Sequence, residues 1–248
     1  MAKTIDRENR KKAILGATIN KYIHAALPVA SDDIADNFDL SSATIRNIFA
    51  ELEDLGFLTH PYTSGGRMPT EKGYRYYVDF LLSQIQLLDE EKSNIAKKYK
   101  KEIKRLEDAL EDTSELIAQT THYAGFVSFL EWQDRMFYKG LSRILEQPEF
   151  RDTQKIRLLI KLIEDKQKLL ELINRDFSDK VKVYIGKELE CPEMSNCSLV
   201  VSSYKRKNKT QGKIAVLGPV RMEYEHIIPA LSFISDALSE VMENISDE

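Results

Sequence analysis

Three short helical patterns, a short strand and a glycine-rich turn follow one another at the start of the chain, and this order restricts the fold more than any other feature of the sequence. Apolar residues at helical spacing predict a first helix over 6–24. Ser31 is expected to cap a short second helix over 32–37. Ser41 is expected to cap a third helix that continues to about Leu55.

The segment after the third helix predicts a hairpin wing. Gly56 stops the helix, and residues 57–59 favour a short strand. In the run HPYTSGGRMPT, Gly65 and Gly66 are free to take positive φ at a hairpin tip. A further helix is predicted from Thr70. Three helices, a hairpin and a trailing helix together predict a winged helix-turn-helix domain.

The third helix combines a packing face with a face suited to the major groove of DNA. An alanine methyl can touch a thymine methyl, arginine can pair with guanine or bridge phosphates, and asparagine can pair bidentately with adenine. Hydroxyl groups near the positive end of a helix can hold phosphate. The predicted packing stripe is Ile45, Ile48, Phe49, Leu52 and Leu55, and the predicted DNA-reading face is Ser42, Ala43, Thr44, Arg46, Asn47 and Ala50.

The wing is predicted to supply a second contact with DNA. Arg67 follows the paired glycines, and an arginine at that place can enter the minor groove, where the potential is most negative. Thr63, Ser64 and the backbone amides of Gly65 and Gly66 can meet phosphate. Two plainer interpretations stay open. The glycines can merely close a hairpin, and the winged helix can dock another protein instead of DNA.

The composition predicts a globular chain, and we expect neither a membrane segment nor a leader. No apolar run approaches the roughly 18 residues that a membrane helix needs. The N-terminal run MAKTIDRENRKK lacks the apolar stretch of a signal peptide, so we expect a cytoplasmic protein. A net charge of −4 argues against a protein that coats nucleic acid non-specifically. It does not exclude a sequence-specific DNA-binding protein with a small positive surface.

No pattern in the chain indicates an enzyme, a metal site or a bound cofactor. The run GPVRM lacks the glycine spacing and the Lys-Ser/Thr pair of a phosphate loop. Cys191 and Cys197 are interpreted as ordinary core or loop residues, because their spacing is too wide for half of a zinc site and no second pair exists. The four histidines form no ligand motif, and they are His24, His60, His122 and His226.

Beyond the winged helix, which we assign to residues 1–80, the pattern changes. Residues 81–122 are nearly free of Gly and Pro and strongly charged, which predicts a connecting helix. Within it, apolar residues at steps of three and four indicate a coiled-coil seam between two chains. The alternative is that the seam packs on the C-terminal domain of its own chain. The seam residues assigned to dimerisation are Tyr99, Ile103, Leu106 and Leu110.

Residues 123–248 predict a mixed α+β domain in which antiparallel strands are flanked by helices, so that the whole chain is of the α+β class. Arg221 and Tyr224 are expected to hold the turn before the last helix rather than to bind a ligand. The expected elements are strands over 125–131, 135–140, 181–185, 198–205 and 212–217, helices over 152–174 and 225–244, and an exposed hairpin tip at 205–210.

Five runs of sequence, in one order, carry a resemblance to a known family. The longest is LSSATIRNIFAELEDLGFLTHPYTSGGRMPTEKGYRYYVD, from Leu40 to Asp79. It is followed by GLSRILEQPEF, VYIGKE, NCSLVVSSY and GKIAVLGPVRMEY. These runs closely resemble HrcA, the heat-inducible transcription repressors of bacteria. The resemblance implies a repressor of heat-shock genes that binds an inverted-repeat operator upstream of chaperone operons. It also implies a GroEL-type chaperonin as the partner that keeps the repressor active.

The chain also departs from that family. Typical members have a GAF-like domain interrupted by a sizeable inserted domain that takes part in dimerisation, whereas only the short run AGFVSFLEWQDRMF stands at that place here. We therefore expect a shortened member with a GAF-like C-terminal domain, whose homodimer is formed elsewhere. Two other functions stay open: a winged-helix regulator that senses a small molecule through its GAF-like domain, and a protein-interaction module.

Overall fold

A computed structural model of the chain describes residues 2–62, 65–84, 89–99, 106–132, 135–175 and 179–245. The chain divides into two units, Met1–Phe80 and Leu81–Glu248. We describe each unit separately.

The N-terminal unit contains the elements of a winged helix in the predicted order. A short 3-10 turn, Asp36–Phe38, extends the second helix. The elements are α1 (Ala2–Ala25), α2 (Asp32–Ala35), α3 (Ser42–Asp54), β1 (Leu58–Thr59), β2 (Met68–Pro69) and α4 (Glu71–Gln84). The winged helix-turn-helix predicted from the sequence is confirmed.

The core of this unit forms where the apolar stripe of α3 meets that of α1. Burying one isoleucine, leucine or phenylalanine side chain stabilises a fold by about 1.5–3 kcal/mol. Leu55 does not belong to the buried stripe, because α3 ends at Asp54 and Leu55 is 47% exposed. The buried residues of the two helices are Ile14, Leu15, Ile19, Ile23, Ile45, Ile48, Phe49 and Leu52.

The two predicted helix caps have different outcomes. Ser41 caps α3 as expected, since its side chain accepts a hydrogen bond from the backbone N–H of Thr44 at 3.1 Å. Ser31 does not cap α2, because it has helical backbone angles and makes no capping bond. Its hydroxyl instead contacts the Ser42 hydroxyl at 2.7 Å, which ties the second helix to the third.

The wing is a two-stranded antiparallel ladder with one added pair. Leu58 lies opposite Pro69, and Arg67 bridges to Val29 through two backbone hydrogen bonds of 2.8 and 2.9 Å. The prediction of positive φ at the paired glycines is wrong, because among the described glycines of this unit only Gly56 has a positive φ, at +75°. A Cβ on Gly66 would lie 2.7 Å from the Val29 carbonyl, so this glycine permits the close approach of two backbones.

The C-terminal unit alternates helices with one sheet. Its helices are α5 (Asp89–Tyr99), α6 (Leu106–Thr121), α7 (Leu141–Leu145), α8 (Thr153–Glu164), α9 (Lys166–Ile173) and α10 (Tyr224–Asn244). Its strands are β3 (Ala124–Phe129), β4 (Met136–Lys139), β5 (Val181–Ile185), β6 (Cys197–Arg206) and β7 (Lys209–Pro219). The α+β fold class is confirmed.

One predicted helix is two helices. The apolar pattern over 152–174 continues through both α8 and α9, but Asp165 has a non-helical ψ of 72°. Its carboxylate accepts a hydrogen bond from the backbone N–H of Lys168 at 3.2 Å and thereby caps α9. The chain changes direction at this aspartate while its hydrophobic residues still reach the same core.

The sheet has the strand order β4-β3-β7-β6-β5 and is antiparallel throughout. On one face lies a core formed with α8 and α9, which includes Phe126, Leu199 and Leu217. On the other face, α6 packs on β3 and α10 packs on β6. The β6–β7 turn has its tip at Lys207 and Asn208, both with positive φ, as a tight two-residue hairpin requires.

The helical seam predicted between two chains is only partly described. Ile103 and the side chain of Tyr99 lie outside the described residues. Leu106 is partly exposed at the start of α6. Leu110 is completely buried within its own chain, because α6 uses its apolar face to cover the sheet. Leu110 is therefore not available to a second chain, which corrects the prediction for this residue.

The close packing of α6 on the sheet makes Gly125 sensitive to a single methyl group. A Cβ there would lie 2.7 Å from both the Ile117 side chain and the Ser114 carbonyl oxygen. Gly125→Ala should therefore lower the free energy of unfolding by about 1–3 kcal/mol. Thermal and urea denaturation would measure the loss.

Gly16→Ala is the matched control, since nothing lies within 4 Å of a Cβ at that position in α1. Alanine there should be neutral or stabilise by up to about 1 kcal/mol. Equal stability of the two variants would contradict the close contact between α6 and β3.

Candidate nucleic-acid interface

The outer face of α3 has the exposure that the sequence predicts for a reading helix. Ser42, at its start, is partly buried. Because the apolar stripe of the same helix is buried, the opposite side chains project from the domain together. The exposed side chains of this face are Ala43, Thr44, Arg46, Asn47 and Ala50.

The hydroxyl groups at the start of α3 already have partners. The Thr44 hydroxyl lies 2.8 Å from that of Ser41, and the Ser42 hydroxyl is shared between Ser31 and, at 3.4 Å, a donor nitrogen of Arg46. These contacts orient Arg46 back towards the start of the helix. The arrangement presents Arg46, Asn47 and two small alanines as the parts that can enter a groove.

The wing is described on both sides of its tip. Thr63 and Ser64 lie outside the described residues. Gly65 donates its N–H to the carbonyl oxygen of Tyr62 at 2.9 Å, which closes the turn. Tyr62 is 69% exposed, and sequence reasoning missed it as a candidate contact. Its position three residues before the glycine pair was the available signal, because an aromatic ring at a turn has little to pack on.

Arg67 does not project from the wing, and this corrects the prediction for its side chain. Its guanidinium points towards α3, where Nη2 lies 3.0 Å from a carboxylate oxygen of Glu53. Nη1 donates to the carbonyl oxygen of Gly65 at 3.2 Å. The side chain is 19% exposed. Backbone pairing with Val29 places Arg67 beside the domain instead of at the tip of the wing. Its positive charge is therefore paired within the protein, with Glu53.

Glu53 is a second residue that sequence reasoning missed. It lies near the end of α3, and its other carboxylate oxygen contacts Nδ1 of His60, just after β1. A glutamate in a charged helix gives no sequence signal for such a role, since most such residues only face solvent.

Comparison with known proteins identifies the family. Residues 8–79 match the winged helix-turn-helix transcription repressor domain of HrcA, and residues 86–228 match the HrcA protein C-terminal domain. The chain belongs to the HrcA family. It is thus a DNA-binding transcription repressor by family, and not an enzyme.

Individual HrcA relatives agree over nearly the whole chain. The heat-inducible transcription repressor of Symbiobacterium thermophilum is 27% identical, with 94% of this chain and 98% of the relative covered. That of Bacillus pumilus is 28% identical, with 97% and 99% covered. A crystal structure described as a hypothetical protein at 2.2 Å resolution superposes with a TM-score of 0.80 at 18% identity, covering 96% and 99% of the two chains, which shows the same fold.

The expected shortening of this HrcA chain is compatible with these alignments. The match to the Symbiobacterium protein extends over 335 positions although this chain has 248 residues, so the relative contains residues without a counterpart here. At the place where the resemblance leads us to expect an inserted domain, β3 and β4 pair directly, with Ser128 opposite Met136.

The cysteines of this HrcA chain are buried and free, as predicted. Burial raises the pKa of Cys197 to about 12, and burial together with Glu193 raises that of Cys191. Both thiols are therefore protonated and unreactive at neutral pH. Among the described residues, no group of three or more His, Cys, Asp or Glu side chains is arranged to hold a metal ion.

Arg221 and Tyr224 hold the turn before α10, as predicted. Arg221 forms an ion pair with Glu149, and the Tyr224 hydroxyl contacts the carbonyl oxygen of Val220 at 2.6 Å and the hydroxyl of Ser198 at 2.7 Å.

An open groove of about 590 Å³ lies elsewhere in the C-terminal unit, beside β5 and α10. Its Lys180 and Asp236 pair with each other at 2.7 Å. No helix in the described part of the chain has the length and apolar character to cross a membrane.

The exposed face of α3 generates a prediction for base recognition. Arg46→Ala and Asn47→Ala should each weaken operator binding by about 1–3 kcal/mol and relax the preference for one base pair, because each removes a directed contact to a base edge. Fluorescence anisotropy with matched and single-mismatch duplexes at constant salt would measure both effects.

Arg157→Ala is the control, since it removes one exposed positive charge from α8 in the other unit. It should leave the order of preference among duplexes unchanged. A uniform loss across all duplexes in the α3 variants would show that Arg46 and Asn47 contact phosphates and do not read bases.

Proposed function

We propose that this chain is a negative regulator of heat-shock genes that binds an inverted-repeat operator upstream of chaperone genes. Its HrcA relatives carry the name of heat-inducible transcription repressors. The observation that carries the proposal is the exposed face of α3, with Arg46 and Asn47 between two alanines and an apolar stripe buried behind them. A net charge of −4 is consistent with a selective reader, because such a protein needs few phosphate contacts.

The experiment is a search for the operator. We expect the purified chain to bind an inverted repeat that lies upstream of chaperone genes in its own genome. Its affinity for that duplex should exceed its affinity for a scrambled duplex by a factor of at least about 10³ at physiological salt. Anisotropy titrations at two salt concentrations would separate specific from electrostatic binding. Equal affinity for both duplexes would contradict the proposal.

Two copies of the chain are part of this proposal. One winged helix covers one half-site, so a two-fold operator calls for a two-fold protein. Leu110 is buried in its own chain, so the proposal rests on the other predicted seam residues, Tyr99, Ile103 and Leu106, of which Leu106 is partly exposed. We propose that this stretch contributes to the homodimer.

The test of the dimer is a charge placed in the seam. Ile103→Lys with Leu106→Lys should yield monomers by sedimentation and abolish operator binding, because the lysines cannot be buried in an apolar interface. Circular dichroism should show that the chain stays folded.

Leu158→Lys is the control, since Leu158 is 42% exposed on α8, away from the seam. It should stay dimeric. A seam variant that also stays dimeric would place the interface elsewhere, and a seam variant that unfolds would show that the stretch packs within its own chain.

We also propose that a GroEL-type chaperonin maintains the active repressor. The proposal depends on the family resemblance and on the heat-inducible behaviour that the names of the relatives state. Heating should release the purified chain from its operator, and refolding with chaperonin and ATP should restore a larger operator-binding fraction than refolding without it. Equal recovery in both samples would contradict chaperonin control of this shortened chain.

A further inference from the structure

The carboxylate of Glu53 joins α3 to both arms of the wing. Oε2 lies 3.0 Å from Nη2 of Arg67, which precedes β2, and Oε1 contacts Nδ1 of His60, which follows β1. Since Thr59 lies opposite Met68 in the ladder, His60 and Arg67 occupy the next pair of positions towards the tip. Glu53 therefore bridges the two arms one step beyond their last backbone pair.

The base of the wing is held by the buried residues Leu58 and Pro69, but its ladder is short. Each strand has only two residues, and isolated two-stranded ribbons are marginal in water. Arg67 is fixed in addition by its backbone pairing with Val29 and by its bond to the Gly65 carbonyl oxygen. Its Nε is buried and has no hydrogen-bond partner among the described residues. The guanidinium is thus partly desolvated, which makes its contact with Glu53 stronger than an exposed surface pair.

We propose that Glu53 is a positioning residue for operator recognition, which fixes the wing relative to the reading face of α3. This inference depends on the proposed function. Glu53 belongs to the same rigid helix as Arg46 and Asn47. When α3 enters the major groove, the Glu53 contacts bring the wing tip, with Tyr62 and Gly65, to one defined place on the flanking DNA. Because the wing is already positioned before binding, less conformational entropy is lost when the complex forms.

The proposal assigns Arg67 a different task from a groove contact. Its charge is already neutralised by Glu53, so it should add little to the attraction of phosphates. Substituting Arg67 should therefore weaken the same flanking contact with DNA as substituting Glu53, because both changes break the ion pair between Glu53 and Arg67.

The test compares Glu53→Gln with Glu51→Gln. Both changes remove one negative charge from α3, so their general electrostatic effect on DNA binding is the same. Glu51 lies on the side of α3 that faces α1, where its carboxylate pairs with Lys11 at 3.5 Å. The probe is a duplex selected by the wild-type chain from a random library, and a scrambled duplex measures non-specific binding.

We expect Glu53→Gln to bind the selected duplex roughly tenfold more weakly than Glu51→Gln, with equal binding to the scrambled duplex. Hydroxyl-radical footprints should lose the protection that flanks the α3 site and keep the protection at the site itself. A general loss of folding would not produce this selective change. Combining Glu53→Gln with Arg67→Gln should add no further loss, since the two residues act through one contact.

The outcomes are distinct. Glu53→Gln that binds the selected duplex as tightly as Glu51→Gln, or keeps the flanking protection, overturns the inference and leaves the proposed function intact. A wild-type chain that selects no duplex contradicts the proposed function and the inference together. If Glu53→Gln lowers the melting temperature of the winged helix, Arg67→Gln decides the matter, because it leaves α3 unchanged and should lose the same flanking protection.

Discussion

The burial of one face of α3 is the constraint on which the N-terminal unit depends. Ile45 and Ile48 are removed from water against the rest of the domain, and this orientation leaves Arg46 and Asn47 on the outside. Burial of apolar surface is not directional, but a helix has a fixed period, so packing one face determines the other. The same stripe that stabilises the domain therefore also determines which side chains of α3 are exposed.

The wing follows a different physical rule. Leu58 and Pro69 bury the base of its short strands, and one step nearer the tip the two arms are held by polar contacts that converge on Glu53 and by the close backbone approach at Gly66. Directed contacts of this kind determine position more than they add stability. The outer face of α3 is thus set by apolar burial, and the outer part of the wing by hydrogen bonds and an ion pair.

In the C-terminal unit the same apolar periodicity serves a different purpose from the one expected. The stripe of α6 has the spacing of a seam between two chains, yet Leu110 and Ile117 are buried against their own sheet. Gly125 makes this possible, because any side chain there would collide with α6. Helical spacing specifies which residues share a face, and it does not specify whether the covering surface belongs to the same chain.

The sequence alone determined the winged helix, the exposed face of α3, the strand at Val181–Ile185 and the HrcA resemblance, because periodicity, caps and long motifs are local. Tertiary structure alone decided the partners of polar groups. Ser31 bonds to Ser42 instead of capping α2, and Arg67 turns back to Glu53 instead of facing the groove. Apolar patterns repeat along the chain and can be read from it. A charged side chain pairs with a group that the fold brings within about 3 Å of it, and the adjacent residues in the sequence do not predict which group that is.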